Sequence, residues 1–175
     1  DVLAYVPHTV PKPPAAEQLL EEALAAMPVL RHVGAQVRGV LVGAFVRREL
    51  VAGEELYARG DEVDESAAAL WVVESGEVRV GKERGVRSFG GSALMAMGVR
   101  GEDAVVEEAG VAWTLDRATY RRVTTGAAVK ALRTYEMSLR KSAAVLRGLS
   151  EREMSRLAEA LVPCRFEVGD ELIKR

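Results

Sequence analysis

The chain has 175 residues, 49% hydrophobic and 29% charged, which suffices for one domain with a real core and part of another. Lys and Arg number 24 against 26 Asp and Glu, and the formal charge of -2 provides no basic field for nucleic acid or for an acidic membrane surface. One cysteine, Cys164, excludes an intrachain disulfide and a multi-cysteine metal site and suits a reducing, cytoplasmic setting, while no apolar run approaches the ~20 residues of a membrane span.

The chain opens on Asp1 rather than Met, with neither a basic start nor a signal-peptide apolar stretch, and so reads as a fragment. Residues 1–14 read as an extended linker, since four prolines fall between Val6 and Pro14. From Ala15 to Met27 the apolar set Leu19, Leu20, Ala23, Leu24 and Met27 recurs at helical spacing, and Pro28 closes the helix. Leu30 to Phe45 repeats the pattern as a second helix, weakened by Gly34, Gly39 and Gly43; together these fill residues 15–45. Residues 46–116 change texture, with short Val-rich segments punctuated by glycine, the spacing of a small antiparallel sandwich or barrel. Its clearest strands are Leu70 to Val73, Glu77 to Val80 and Ala104 to Val106. Helical periodicity returns over residues 117–162, where Ser150 is a plausible cap ahead of Met154, Leu157 and Leu161. Residues 163–175 resemble two new strands about a Val168-Gly169-Asp170 turn, a repeat of Val51-Ala52-Gly53-Glu54, as if a second copy of the module began there. The fold class expected is α+β, an antiparallel barrel flanked by N- and C-terminal helices.

Five segments carry a resemblance. They are Ala52-Gly53-Glu54 with Gly60-Asp61-Glu62, then Val72 to Glu77, then Phe89-Gly90-Gly91-Ser92-Ala93-Leu94, and finally Trp113 to Arg122. In this order the chain resembles the cyclic-nucleotide-binding domain, most closely the first such domain of the regulatory subunit of cAMP-dependent protein kinase. The resemblance implies a jelly-roll-like barrel and a capture segment over 89–101, in which F-G-E-x-A-L followed by P-R-A-A turns the N–H groups of a short helix toward a cyclic phosphate. It places Phe89, Gly90, Gly91, Ser92, Ala93, Arg100 and Gly101 at the ligand, with Arg100 as the phosphate-binding arginine and Asp64 as its supporting acid. Gly91 stands where the family has the Glu that accepts from the ribose 2′-hydroxyl. Such a bond is worth roughly 1.5–3 kcal/mol, so its loss implies a weakening of about ten- to a hundredfold. A Gly91→Glu substitution is accordingly expected to strengthen cyclic-nucleotide binding. Val99 replaces the usual Pro, Gly101-Glu102 replaces the Ala pair, and Glu102-Asp103 set negative charge beside Arg100. Val63 replaces a Gly, Ser66 to Ala69 reads as an insertion, and the hairpin from Gly76 to Phe89 is short.

Read without the resemblance, the same residues have plainer roles. Arg100 is a solvated charge in a Gly-rich loop, Asp64 a turn residue, and Gly90 and Gly91 supply positive φ. Trp113 is core, Tyr120 packs on the barrel or contacts a partner, and Cys164 is a small buried hydrophobe. His8 in the linker and His32 at a helix start gather no ligand set around them, and no metal or cofactor is implied. The chain has no G-x-S-x-G elbow, Walker loop or H-E-x-x-H, and its paired carboxylates are sequence neighbours that diverge on a helix or strand, so an enzyme is not expected. The resemblance then implies one of two functions. One is a non-catalytic regulatory domain that senses cAMP, cGMP or a purine nucleoside through an altered pocket and answers to a protein kinase catalytic subunit or kinase domain. The other is a ligand-free relative of such domains, serving as a docking module in a regulatory chain or a cyclic-nucleotide-dependent kinase. A DNA-binding regulator would need a helix-turn-helix after the long helix, where the sequence instead reads as another strand.

Overall fold

A computed structural model describes residues 7–30, 33–65, 67–142, 146, 148–161, 164, 166, 168, 169 and 171. The chain forms two compact units, Asp1–Ala127 and Ala128–Arg175.

In the first unit, the proline-rich lead-in is anchored rather than loose. The Lys12 ammonium donates to the carbonyls of Val10 and Gly43, each at 2.8 Å, and lies 5.2 Å from the Trp113 ring centroid. Burial there pushes its pKa down, with Glu17 opposing. Helix α1 (Pro14–Ala26) takes proline at its first position, where no N–H is required, and buries Ala16, Leu20 and Leu24. The expected helix from Leu30 to Phe45 is instead a single 3-10 turn, Pro28–Leu30, and a shorter helix α2 (Ala35–Ala44) that starts after Gly34. His32 lies outside the described residues.

The strands are β1 (Val46–Leu50), β2 (Glu55–Tyr57), β3 (Glu62–Val63), β4 (Ala69–Val80), β5 (Ser88–Phe89), β6 (Gly98–Val99) and β7 (Ala104–Asp116), with the four-residue helix α3 (Ser92–Met95) between β5 and β6. They pair antiparallel in the order β1-β7-β4-β5, with β2 added to β7, and β3 pairs β6 separately. Among the described residues the ladders form these two sheets and do not close into a cylinder. Ser75-Gly76, between the expected strands Leu70 to Val73 and Glu77 to Val80, lies inside the twelve-residue β4. The β4–β7 register shifts around it, and Gly110 on β7 passes so close that a Cβ there would lie 2.1 Å from the Ser75 carbonyl oxygen. The glycines thus permit a bulge and a close crossing of two long strands.

Strand alternation divides the core. Leu70, Val72, Trp113 and Leu115 face outward onto α1, α2 and the start of α4 (Arg117–Ser142), while Leu50, Trp71, Val73, Phe89 and Ala112 line the inner face. The loop between β5 and β6 crosses the mouth of that inner face, and there the candidate site forms.

Helix α4 begins in the first unit and ends in the second. In the second unit, α5 (Glu151–Glu159) has the expected cap. The Ser150 hydroxyl accepts from the Glu153 N–H, and the Glu153 carboxylate accepts from the Ser150 N–H at 2.9 Å. The Ser150 hydroxyl holds the Glu153 carboxyl below its usual range, helped by the Ser150 N–H. A depressed carboxyl stabilises the fold above its unfolded pKa and loses that contribution as pH falls through the folded value. Protection of the amides in the first turn of α5, relative to the unfolded-chain exchange rate at the same pH, is therefore expected to fall below about pH 4, and Glu153→Gln, which can still accept in a capping box, to remove that pH dependence. Cys164 is exposed, against the expectation of a buried hydrophobe, and belongs to no helix or strand. Val168 and Gly169 lie in a turn, and Asp170, expected to complete it, lies outside the described residues. The strands expected around them lie mostly outside the described residues.

Candidate functional site

Phe89 and Gly90 open the β5–β6 loop. Phe89 is fixed by stacking on Trp71, with centroids 5.9 Å apart and planes within 6°. Gly90 then takes φ +79, and a Cβ there would lie 2.4 Å from the Ala69 carbonyl oxygen. Only glycine turns the chain at this point, and α3 follows at once. The return strand β6 pairs with β3, Glu62 opposite Val99, and the Arg100 backbone exchanges 2.8 Å hydrogen bonds with Asp61 and Gly60.

Beneath this loop lies a cavity of about 530 Å³. Phe89, Gly90, Ser92, Ala93, Arg100 and Gly101 line it, so six of the seven residues expected at a ligand are brought together. Gly91 is not among the described lining residues. Its φ is -59, so it needs no left-handed backbone, and its Cβ direction meets the Met27 methyl at 2.6 Å and Leu70 at 3.7 Å. A side chain at 91 therefore points at the end of α1. Gly91→Glu is expected to crowd Met27 and to leave cyclic-nucleotide affinity unchanged, and titration of that variant beside the parent checks this.

Arg100 is a buried cation, 8% exposed, where a solvated charge was the plainer reading. Its guanidinium lies 4.1 Å from the Tyr57 ring centroid, and Nη2 donates to the Ala67 carbonyl at 2.9 Å. Asp64 shapes that partner: its Oδ1 accepts from the Ala67 N–H at 2.7 Å. Asp64 thus fastens the turn whose Ala67 carbonyl accepts from Arg100. Ser66 lies outside the described residues. Asp103, expected beside Arg100, is paired with Arg79 at 2.9 Å, and that hydrogen bond depresses its pKa. Glu102 remains on the cavity wall, as does Glu83. The Tyr57 hydroxyl is pushed up by burial, against the pull of Arg100 and with the help of Glu102 and Asp103.

Tyr120, a candidate for partner contact, is 6% exposed and therefore not on the surface. Its hydroxyl contacts the Met95 sulfur at 3.4 Å, and burial raises its pKa. The neighbouring Arg117, 7% exposed, donates from Nη1 to the Ala93 carbonyl at 3.2 Å and from Nη2 to that of Met95 at 3.5 Å, while its Nε lies 3.8 Å from Glu65. The first turn of α4 thus grips the end of α3.

Sequence reading missed Tyr57, Ala67 and Arg117. It also missed a second cavity of about 520 Å³, lined by Arg48, Tyr57, Ala67, Trp71, Arg100 and Asp116 among others, so that Arg100 stands between two cavities. Arg100 and Ala67 are 33 positions apart, and no local pattern signals such a pair. Among the described residues no group of His, Cys, Asp or Glu is placed to hold a metal ion, and no helix is long and apolar enough to cross a membrane.

No family model matches the chain. It is 29% identical over 179 residues to a cAMP-dependent protein kinase regulatory subunit of Dictyostelium discoideum, covering 95% of this chain and 53% of that protein. It is 31% identical over 178 residues to one of Debaryomyces hansenii, covering 93% and 38%. The chain therefore spans about half, or less, of the curated relatives it matches. Among solved structures, it matches a triple mutant of the regulatory subunit of a cAMP-independent protein kinase A from Trypanosoma brucei with cAMP in the A site. The TM-score is 0.53 at 27% identity, over 97% of this chain and 64% of that one. By sequence and by fold, the chain resembles the regulatory subunits of cAMP-dependent protein kinase and carries a divergent form of their cyclic-nucleotide-binding domain.

Proposed function

We propose that the chain is a non-catalytic regulatory domain whose cavity under the β5–β6 loop takes a purine nucleoside or its cyclic phosphate. Occupancy is passed through α3 to α4 and so to a protein kinase catalytic subunit or kinase domain in the cytoplasm. The observation that carries this reading is the cavity itself: a turn only glycine permits, a short helix and a buried arginine together roof about 530 Å³. The relatives are regulatory subunits, which fits a domain that binds and reports rather than one that reacts. A ligand acts here only through its different affinities for two states of the α3–α4 contact.

Calorimetric titration with adenosine, guanosine, cAMP and cGMP tests the reading. Saturable binding that Gly90→Ala or filling of the cavity by Ala93→Leu removes is the expected result, and silence toward all four compounds contradicts it. A second reading, a docking module without ligand, is favoured by one observation. Position 91 faces Met27 and Arg100 is already held by Tyr57 and Ala67, so the two groups that grip a cyclic nucleotide in the family are missing or engaged. Silence in the titration, together with capture of a kinase catalytic subunit by the domain, supports that second reading.

A further inference from the structure

Resting on the assignment of the cavity under the β5–β6 loop as the ligand site, we infer that Tyr57 determines its specificity: by holding the Arg100 guanidinium, it makes the site favour an uncharged nucleoside over a cyclic phosphate. The guanidinium lies over the Tyr57 ring, 4.1 Å from its centroid, and Nη2 donates to the Ala67 carbonyl 2.9 Å away. Ala67 lines the second cavity and is not among the residues lining the first. The arginine is thus drawn toward the cavity that does not hold the ligand.

Tyr57 does not yield easily. Its ring packs at 56° on Phe89, with centroids 6.2 Å apart, Phe89 stacks on Trp71, and Arg48 covers the Trp71 ring at 4.7 Å. This series of rings runs from one arginine to the other and fixes the ring on which Arg100 rests. With Arg100 held, the other charged groups on the described wall of the first cavity are the carboxylates Glu83 and Glu102. These repel a phosphate and suit the hydroxyl and amino donors of a nucleoside. A cyclic phosphate must pull the guanidinium off a desolvated ring before pairing with it. That penalty is about thirtyfold in affinity, the equivalent of about 2 kcal/mol at 1.4 kcal/mol per tenfold.

The test compares the parent with Tyr57→Phe and Tyr57→Leu, each titrated with guanosine, cGMP, adenosine and cAMP. Tyr57→Leu is expected to raise the affinity for each cyclic nucleotide about thirtyfold relative to its nucleoside, and Tyr57→Phe, which keeps the ring, to leave the ratio where it was. Binding with the same ratio in Tyr57→Leu overturns the role of Tyr57 and leaves the cavity assignment standing, whereas no binding of any of the four compounds overturns both. A measurement on the parent guards against a variant that does not fold. The Arg100 side-chain Nε–H resonance, identified by its loss in Arg100→Lys, is expected to be shifted by the Tyr57 ring current, and an unshifted resonance also overturns the proposal.

Discussion

Alanine at position 90 is expected to lower stability by about 3 kcal/mol and to weaken ligand binding by at least about tenfold. Two costs add. The residue sits at φ +79, a left-handed conformation that costs a non-glycine residue about 1–2 kcal/mol. Its Cβ would also lie 2.4 Å from the Ala69 carbonyl oxygen, a backbone atom of the central strand β4, and overpacking against immobile backbone costs roughly 1–3 kcal/mol. Relief requires moving Gly90, and with it Phe89 and the start of α3. Gly101→Ala is the matched control, since nothing lies within 4 Å of a Cβ there and its φ is ordinary. Urea denaturation is expected to shift the midpoint at constant slope for Gly90→Ala and to leave it nearly in place for Gly101→Ala.

Replacement of Arg117 by methionine should detach α3 from the first turn of α4. Arg117 holds the carbonyls of Ala93 and Met95 at the C-terminal end of α3, and its Nε has no hydrogen-bond partner. A cation at a helix C-terminus satisfies carbonyls that have no partner within the helix. Loss of hydrogen bonds from a charged donor costs about 1.5–3 kcal/mol, in part offset here because the buried Nε, which makes no hydrogen bond, goes as well. The larger consequence is functional. Ligand should still bind, while hydrogen exchange in the first turns of α4 no longer responds to it; Arg117→Lys, which can reach one of the two carbonyls, should respond in part. An undiminished response in Arg117→Met would show that α3 and α4 communicate by another route.

How much of this the sequence carried depends on the range of the interaction. Helices α1, α4 and α5 follow from apolar spacing, and the Ser150 cap from residues three apart, because helical contacts are local. The glycines of α2 were legible, yet the break after Leu30 was not, since Pro28–Leu30 continues the same apolar period in a tighter turn. Ser75-Gly76 reads as a turn in isolation and becomes a bulge only because Gly110 lies against it, a pairing of distant strands. The site divides in the same way. Phe89 to Gly101 is one contiguous segment, so the six of its residues that line one cavity stand close in the sequence, whereas the direction of Gly91 depends on where α1 ends. What holds Arg100 comes from β2 and from the turn before β4, and what holds α3 comes from α4. Such contacts are made by tertiary packing, and their residues taken singly are ordinary: a tyrosine on a strand, an alanine in a turn, an arginine at a helix start.

Hydrogen exchange across the domain, with and without saturating guanosine or adenosine, tests most directly whether the β5–β6 loop is a ligand site coupled to α4. Slower exchange in two separate stretches, residues 89–101 and residues 117–123, is the result expected. Protection confined to the second cavity, around Arg48, Trp71 and Asp116, or no change in either stretch, would contradict it.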